Sequence, residues 1–285
     1  MGNEISKSAI IGDQVTLGNY NTIGDNVVLQ GKITLGDCNQ IHNNTRIIAG
    51  SVPIDIGDWN VFHNNMFISG EAGICIGHNC WFGQNTVLDG TGHLFIGHGV
   101  RIGMYSQIWT HVSSGEQIEG CTLLASRPTF IANEVWLVGS CTVGSGLTLG
   151  YRSICMTGSV ITKNTLAEKV YGGSPARQLE KLSFYKTIFP EEKKSLIDTW
   201  ITEYQIKNAE KRLSVCITKD ISTIEDLISQ EKLLFSLEDS KFGLNNKTTW
   251  FNLSDKTYTK KLTNLERSFY KFIFGNKARF LPKEE

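Results

Sequence analysis

The chain opens with a repeat in which a bulky apolar residue occupies every sixth position. Four of the first seven members are followed by Gly and then by Asp or Asn. A period of six is neither the 3.6-residue period of a helix nor the alternation of a strand. It predicts very short strands joined by tight corners, where Gly, Asn and Asp tolerate a left-handed backbone. Repeats of this length are typical of a parallel β-helix with three six-residue sides per coil and about 4.8 Å between coils. The first members are Ile11, Leu17, Ile23, Leu29, Leu35, Ile41 and Ile47.

Insertions interrupt the repeat at regular intervals. Three more groups of three apolar residues keep the spacing of six, and a longer gap follows each group. If three sides make one coil, every insertion falls at the same corner, and the longest covers about residues 110–129. Loops gathered on one edge of a rigid repeat typically form a binding surface. The groups are Ile56, Phe62 and Ile68, then Ile76, Phe82 and Leu88, then Ile96, Ile102 and Ile108, before the spacing resumes at Ile131, Leu137, Val143, Leu149, Cys155 and Ile161.

The composition changes near residue 180. Residues 1–179 hold 26 of the 28 glycines and all six histidines, but only 21 charged residues. Residues 180–285 hold two glycines and 35 charged residues. We therefore expect a β-helix domain over residues 1–179 and a separate C-terminal domain over residues 180–285.

The overall composition excludes several classes of protein. The net charge is zero, which argues against a nucleic-acid-binding protein because phosphate contacts need a cationic surplus. No stretch is long and apolar enough for a transmembrane helix, and the N-terminus lacks the apolar core of a signal peptide. The seven cysteines show no CxxC pairing, which is typical of reduced thiols in a cytoplasmic protein.

Two segments near the end of the repeats carry a family resemblance. The first, PTFIANEVWLVGSCTVGSGLTLG, has Val135-Trp136-Leu137 at its centre. The second, MTGSVITKNTLAEKVYGGSPARQL, has Thr157 and Ser174 where Ala and Asn are usual. Together with the hexapeptides in register, they resemble the hexapeptide-repeat acyltransferase family of left-handed β-helix proteins, over residues 9–179. The expected fold is thus mainly β, a left-handed parallel β-helix followed by a small α+β domain.

The resemblance implies a function and an assembly. It implies a homotrimer with active sites between adjacent prisms, acetyl-coenzyme A as the donor and no metal. It also implies a long loop that carries a catalytic histidine, and His111 stands at that place. A sugar hydroxyl is a poor nucleophile at neutral pH, so a general base is needed, and an imidazole can act as one. Glu116 or Glu119 is the candidate to orient His111, and we favour Glu116.

Further site residues follow from the same resemblance. Trp109 and His93 are candidate acceptor-binding residues, Trp109 by stacking on a sugar face and His93 from a neighbouring insertion at the same corner. The pantetheine arm is expected near backbone N–H groups, and two cations suit the phosphates. The candidate coenzyme A contacts are the N–H groups of Gly139, Ser140, Gly158 and Ser159, with Lys163 and Arg177 as the cations.

The preferred function is an acetyl-coenzyme-A-dependent O-acetyltransferase that acts on a sugar of a bacterial surface polysaccharide or its precursor. One alternative is an N-acetyltransferase for a nucleotide-linked amino sugar, and another is a non-catalytic β-helix scaffold. A third is a zinc enzyme similar to the γ-class carbonic anhydrases, because His93 and His98 are five residues apart and His63 lies upstream. Position 98 is also a corner position that Asp or Asn occupies in other repeats, which favours a structural role.

The C-terminal hundred residues predict a small α+β domain. Pro190 and the acidic residues after it open a helix that extends to about Lys211. The segments RLSVCIT, KLLFSLE and TTWFNLSDKTYTK predict strands, and LTNLERSFYKFIF predicts an amphipathic helix. Its four aromatic residues belong either to a core, which their helical spacing favours, or to a peripheral membrane contact. They are Phe269, Tyr270, Phe272 and Phe274.

Overall fold

The computed structural model describes residues 2–113, 115–238 and 245–283. They form two compact units, Met1–Tyr185 and Lys186–Glu285. The compositional change expected between residues 179 and 180 lies a few residues before this division. The assignment of the two units as separate domains stays a prediction.

The described part of the first unit consists of 27 short strands and one 3-10 turn at Gln117–Glu119. In chain order the strands are β1 (Glu4–Ile5), β2 (Ile10–Ile11), β3 (Val15–Leu17), β4 (Thr22–Ile23), β5 (Val28–Gln30), β6 (Ile33–Leu35), β7 (Gln40–Ile41), β8 (Arg46–Ala49), β9 (Ile54–Ile56), β10 (Val61–Phe62), β11 (Phe67–Gly70), β12 (Ile74–Ile76), β13 (Trp81–Phe82), β14 (Val87–Asp89), β15 (Leu94–Ile96), β16 (Arg101–Ile102), β17 (Gln107–Ile108), β18 (His111–Ser113), β19 (Leu124–Ser126), β20 (Thr129–Ile131), β21 (Trp136–Leu137), β22 (Thr142–Val143), β23 (Thr148–Leu149), β24 (Ile154–Cys155), β25 (Val160–Ile161), β26 (Val170–Gly172) and β27 (Arg177–Gln178).

These strands stack into three sheets that form the sides of a prism. The first sheet runs β1-β4-β7-β10-β13-β16-β21-β24-β26-β27, the second β2-β5-β8-β11-β14-β17-β22-β25 and the third β3-β6-β9-β12-β15-β20-β23. Neighbouring strands are parallel, apart from the antiparallel pair β26 and β27. Equivalent repeat positions lie directly above one another, as where Ile68 pairs with Leu88 and Leu88 with Ile108. The predicted β-helix of hexapeptide repeats is therefore confirmed.

The repeated apolar residues form the core of the prism. From Ile23 to Ile161, every predicted inward position is at most 4% exposed. Ile11 and Leu17, in the first coil, are only partly buried and pack against the others. The column includes a stacked aromatic pair, Phe62 and Phe82, with ring centroids 4.9 Å apart. Burial of such side chains supplies the main favourable free energy of folding.

A ladder of side-chain acceptors holds the corner between the third and first sheets. Asp58 donates its backbone N–H to Nδ1 of His78 over 2.8 Å, and His78 donates its own to Nδ1 of His98 over 3.0 Å. His98 in turn donates its N–H to Oδ1 of Asn133 over 2.8 Å. The two imidazoles stack with centroids 5.2 Å apart. His98 thus occupies the structural position that Asp or Asn fills in other coils.

The insertions share the corner between the second and third sheets, as the spacing predicts. They lie between β8 and β9, β11 and β12, β14 and β15, and β17 and β20. The last contains the antiparallel hairpin of β18 and β19, in which His111 pairs with Ser126. We call this row of insertions the insertion edge.

The described part of the second unit combines two helices with a six-stranded sheet. The helices are α1 (Pro190–Lys207) and α2 (Asn264–Ile273). The sheet runs, in order, β28 (Leu213–Ile217), β29 (Ile221–Asp226), β30 (Lys232–Ser236), β31 (Thr248–Asn252), β32 (Thr257–Tyr258) and β33 (Leu281–Pro282). The α+β class is confirmed, although α1 ends at Lys207 rather than near Lys211. The sequence patterns did not predict the strands β29 and β33.

The aromatic residues of α2 divide between two environments. Phe269 and Tyr270 are fully buried, and the hydroxyl of Tyr270 donates to the carbonyl of Phe280 over 2.6 Å. These two residues therefore belong to the core, and the alternative of a peripheral membrane contact is wrong for them. Phe272 and Phe274 are partly buried. No helix among the described residues has the length and apolar character that crossing a bilayer requires.

The His78–His98 ladder predicts acid sensitivity of the β-helix. Burial lowers the pKa of His98, and its Nδ1 must stay unprotonated to accept the His78 N–H. Because the unfolded chain binds this proton more readily, stability should fall as pH drops below about 6.5, by at most about 1.4 kcal/mol per pH unit. His98→Asn keeps an acceptor and removes the titration. We expect thermal unfolding between pH 7.5 and 5.0 to show a smaller loss for this variant. Equal pH dependence in the two proteins would contradict the ladder.

Candidate functional site

His111 lies at the base of the hairpin in the longest insertion. It is the first residue of β18 and follows Thr110, which is buried. Its Nδ1 lies 2.8 Å from Oδ2 of Asp89, the last residue of β14 in the preceding coil. The imidazole is 38% exposed, whereas the carboxylate is only 8% exposed. The pair therefore joins a buried carboxylate to a histidine that solutes can reach.

Asp89 is held by a dense set of hydrogen bonds. Its Oδ2 accepts the backbone N–H and the hydroxyl of Thr110, both over 2.7 Å, besides the contact to His111. Its Oδ1 accepts the hydroxyl of Thr91 over 2.6 Å and the N–H of Thr91 over 3.2 Å. Burial alone raises the pKa of Asp89, but these bonds outweigh it and lower the pKa to about 2. The carboxylate is therefore ionised at every pH at which the fold is expected to work.

An ionised Asp89 decides which nitrogen of His111 can act as a base. A carboxylate only accepts hydrogen bonds, so Nδ1 of His111 carries a proton and donates it to Asp89. In the neutral imidazole the lone pair is then on Nε2. A proton taken up at Nε2 would place an imidazolium 2.8 Å from the Asp89 carboxylate. This arrangement suits a general base held in one orientation.

Small residues allow the hairpin base to approach the coil below it. Gly92 donates its N–H to the hydroxyl of Thr110 over 2.8 Å. A Cβ atom at Gly92 would lie 2.4 Å from the carbonyl oxygen of Thr110 and 2.6 Å from the nitrogen of Arg127. On the other side of the hairpin base, the hydroxyl of Thr129 donates to the carbonyl of Trp109 over 3.1 Å. The position of His111 thus depends on close backbone packing at the insertion edge.

Trp109 and His93, the two predicted acceptor-binding residues, lie near this pair. The Trp109 ring is partly buried and its centroid is 6.0 Å from that of His111. The backbone carbonyl of His93 accepts the N–H of Thr129 over 3.1 Å, which ties it to the base of the hairpin. The Nδ1 of His93 lies 2.6 Å from the carbonyl of Ala72, and its buried Nε2 has no hydrogen-bond partner among the described residues. Binding roles for both residues remain predictions.

The carboxylate that contacts His111 is not the one expected from the sequence. Glu116 is exposed on the loop beyond β18 and precedes the 3-10 turn, and its backbone carbonyl accepts the N–H groups of Glu119 and Cys121. The orienting position is filled by Asp89 instead. Asp89 comes from the coil below, where the register of the stacked strands brings it next to the hairpin.

Three of the four N–H groups expected to bind coenzyme A are used within the prism. Ser140 donates its N–H to the carbonyl of Met104 over 2.8 Å, and Gly158 donates to Gly139 over 2.9 Å. The N–H of Ser159 donates to the carbonyl of Met156 over 3.2 Å. The turns and the stacking of coils already satisfy these three groups, and their contact with the pantetheine arm stays a prediction. Gly139 is buried and donates to no carbonyl among the described residues.

The structure brings the two predicted phosphate-binding cations together. Lys163 and Arg177 line the same depression of about 210 Å³, and both side chains are exposed. Its other lining residues are half polar and half apolar or aromatic, and the polar ones are Thr162, Asn164 and Gln178. Neither cation forms an ion pair with any residue the structure describes. The depression is thus suited to an anionic group.

This depression extends from the corner of the insertion edge, where Lys163 lies, to β27 of the first sheet, which carries Arg177. Gly146, one coil further on, donates its N–H to the hydroxyl of Thr129 over 3.1 Å. Between that coil and the next, Thr148 donates its N–H to Oδ1 of Asn164 over 2.9 Å. With about 4.8 Å per coil, Lys163 is roughly 10 Å along the edge from the coil of His111. The edge that carries the candidate base therefore also carries one side of the candidate phosphate site.

The histidines considered for zinc lie at three different corners of the coil. His63 follows β10 and stacks on His42, His93 lies on the insertion edge, and His98 belongs to the acceptor ladder. Within one chain they are not brought together. Among residues 2–113, 115–238 and 245–283, no group of three or more His, Cys, Asp or Glu side chains is placed to hold a metal ion.

The position of Asp89 beside His111 is predictable from the length of one coil. The local coil length is 20 residues, as shown by the pairing of Leu88 with Ile108. A residue 22 positions before His111 is therefore expected one coil below it and close in space. The carboxylates expected to orient His111, Glu116 and Glu119, lie instead in its own loop.

No family model matches the chain. Among solved structures, it is similar to the polySia-specific acetyltransferase NeuO, with 15% identity over 73% of this chain and 97% of that one, and a TM-score of 0.46. The N-acyltransferase AntD from Bacillus cereus is 15% identical over 72% of this chain and 87% of that one, with a TM-score of 0.33. The UDP-N-acetylglucosamine O-acyltransferase LpxA from Moraxella catarrhalis is 15% identical over 73% of this chain and 91% of that one, with a TM-score of 0.37. All three proteins are acyltransferases.

Substitution of Gly92 should disturb the pair without opening the core. In Gly92→Ala the new methyl group would collide with the backbone at Thr110 and Arg127, so the hairpin base must shift. We expect the Nδ1–H signal of His111 in imidazole NMR to be lost or shifted. Gly144→Ala is the matched control on the same edge, since a Cβ there meets nothing closer than 3.5 Å. An unchanged His111 signal in Gly92→Ala would contradict the packing described.

Proposed function

We propose that the chain is an acetyl-coenzyme-A-dependent O-acetyltransferase that acts on a sugar of a bacterial surface polysaccharide or its precursor. The observation that supports this best is the hydrogen bond of 2.8 Å between Nδ1 of His111 and the buried Asp89. It provides a base with a fixed orientation at the one edge of the β-helix where all the insertions collect. The same edge offers Lys163 and Arg177 to an anionic donor.

His111 acts as the general base in direct transfer. When bound, the donor supplies an acyl thioester whose sulfur can leave as a thiolate. Nε2 of His111 removes the proton from the acceptor hydroxyl as its oxygen attacks, and then returns that proton to the departing sulfur. No enzyme nucleophile is needed, because both substrates are bound together. Base catalysis by a positioned side chain typically contributes 10²- to 10⁴-fold.

Asp89 is the positioning residue for this base. It holds Nδ1 protonated, which keeps the lone pair on Nε2, and it stabilises the imidazolium that forms during transfer. The bonds from Thr91 and Thr110 fix the carboxylate itself. A base whose partner is rigid loses little free energy to reorganisation during the reaction.

Coenzyme A fits the insertion edge at its phosphate end. The side chains of Lys163 and Arg177 would hold the phosphates, with Asn164 and Gln178 as further polar contacts in the same depression. The arm would then run along the edge toward His111. Because the backbone N–H groups of Ser140, Gly158 and Ser159 are engaged elsewhere, the arm has to rely on other groups.

The assembly and cellular setting belong to the same proposal. We infer a cytoplasmic homotrimer whose sites lie between adjacent prisms and take a carbohydrate acceptor. Trp109, with its centroid 6.0 Å from that of His111, would stack on the sugar ring. The oriented base favours O-acetylation over N-acetylation, since a free amine needs less help in losing a proton. It also favours an enzyme over a non-catalytic scaffold.

Removal of the base should abolish transfer but spare donor binding. We expect His111→Gln to lower kcat/KM for acetyl transfer by about 10²- to 10⁴-fold, measured as thiol release with acetyl-coenzyme A and a panel of sugars. Calorimetric binding of coenzyme A should stay within a few-fold of the wild type. The matched control is His42→Gln, a partly buried histidine at a corner of the first sheet. Full activity in His111→Gln would refute the assigned base.

Removal of the two cations should weaken donor binding selectively. We expect Lys163→Ala combined with Arg177→Ala to raise the Kd for coenzyme A by about 10-fold or more, because charge-assisted bonds to phosphate are lost. Inhibition by pantetheine, which has no phosphates, should be unchanged. Lys169→Ala provides a control on an exposed lysine outside the depression. An equal loss of affinity for coenzyme A and pantetheine would argue against phosphate binding at this place.

A further inference from the structure

Arg127 lies at the base of the hairpin that carries His111. It follows Ser126, which pairs with His111 across β18 and β19. Its backbone N–H donates to the carbonyl of Thr110 over 2.8 Å. The backbone of Arg127 is therefore fixed within one hydrogen bond of the residue that precedes the histidine.

The side chain of Arg127 is directed along the insertion edge by a glycine. A Cβ atom at Gly146 would lie 2.9 Å from Cδ and 3.0 Å from Cβ of Arg127, so the aliphatic stem rests on this glycine. The N–H of Gly146 is in turn held by Thr129. The stem is thus supported by the next coil, while the residue as a whole is exposed.

The guanidinium of Arg127 forms no ion pair with any residue in the described ranges 2–113, 115–238 and 245–283. Arg152, at another corner of the prism, shows the contrast, since it pairs with Glu134 over 2.6 Å and with Glu168 over 3.9 Å. A planar guanidinium with five donors suits a carboxylate or a phosphate, which it can bind in a bidentate way. Arg127 therefore offers an uncompensated cation next to the candidate base.

The donor does not account for this cation. Lys163 and Arg177 lie further along the edge, where the proposed function places the phosphates. Between its thioester and its diphosphate, coenzyme A has an uncharged arm. Arg127, beside His111, would therefore face either this neutral arm or the acceptor.

An acidic acceptor, in contrast, requires such a cation. The ionised Asp89 lies next to His111 and would repel a second carboxylate brought to the same site. A guanidinium at the hairpin base offsets this repulsion and supplies direct bonds to the acid group. Because Arg127 follows Ser126, the partner of His111 across the hairpin, its side chain starts from the same hairpin base as the imidazole.

We propose that Arg127 is a specificity-determining residue that binds the carboxylate of an acidic sugar acceptor, such as a hexuronate. This inference rests on the proposed function. It assigns the acceptor class through one residue that takes no part in proton transfer and does not contact Asp89 or the phosphate site.

The test compares matched acidic and neutral sugars. Methyl glucuronide is paired with methyl glucoside, and methyl galacturonide with methyl galactoside, with acetyl-coenzyme A as the donor. Thiol release and mass spectrometry measure acetylation, saturation-transfer NMR measures sugar binding, and calorimetry measures coenzyme A binding. The variants are Arg127→Gln and Arg127→Lys. Arg46→Gln, an exposed arginine on the outer face of β8, is the matched control.

We expect the wild type to prefer the acidic member of each pair. Arg127→Gln should lose about 10- to 100-fold in kcat/KM for the acidic sugars, mainly through KM, and less than about 2-fold for the neutral ones. Arg127→Lys should keep part of the preference, because a lysine retains the charge but not the bidentate geometry. Arg46→Gln should behave as the wild type.

Several results would overturn the inference. One is an unchanged acidic preference in Arg127→Gln, and another is a wild type that acetylates the neutral sugars better. A third is a wild type that binds coenzyme A yet neither binds nor acetylates any acidic sugar. An equal loss for acidic and neutral sugars together with weaker coenzyme A binding would assign Arg127 to the donor. Failure of the proposed function differs from all of these, since the wild type would then neither bind coenzyme A nor release thiol.

Discussion

The backbone ladder between successive coils is the constraint on which the rest of the structure depends. Gly83 donates its N–H to the carbonyl of Ile102 over 2.8 Å, and Gly103 donates to Leu137 over 2.7 Å, in a pattern that recurs along the prism. Buried backbone groups have to be paired, so each coil must return to the register of the one below it. An insertion of any length is tolerated only if the chain re-enters the ladder at the next strand. After each insertion the chain re-enters the ladder at the corner between the second and third sheets, so the insertions collect on that one edge.

The candidate site forms because the backbone ladder brings residues that are about one coil apart in sequence into contact. Asp89 and His111 belong to successive coils, and they meet because Leu88 pairs with Ile108. The carboxylate ends a strand while the histidine begins a hairpin, so one is fixed by the prism and the other by a loop. Thr110 contributes both its N–H and its hydroxyl to the carboxylate, which joins the two parts. A rigid partner for a more exposed imidazole is what a general base requires.

The fold was largely predictable from the sequence, and the site only in part. A period of six identifies the inward residues directly, because each face of the prism needs one apolar side chain per coil, and Ile68, Leu88 and Ile108 stack as expected. His111 could be found because it begins the longest insertion, where the family resemblance implies a catalytic histidine. Asp89 was missed because its contact crosses coils. The sequence likewise did not show that the ladder and its turns engage the N–H groups of Ser140, Gly158 and Ser159.

The charged residues along the insertion edge differ in their burial and in their hydrogen-bond partners. Asp89 is ionised and enclosed by donors, so its charge is fixed and serves the imidazole. Arg127, Lys163 and Arg177 lie beyond it and are exposed, and within the described residues no carboxylate pairs with them. Arg152, in contrast, is paired with Glu134 and sits at another corner of the prism. Exposed ion pairs contribute little to folding, so leaving these three cations without a carboxylate costs the fold little. Their charges are instead available to an anionic ligand near the candidate base.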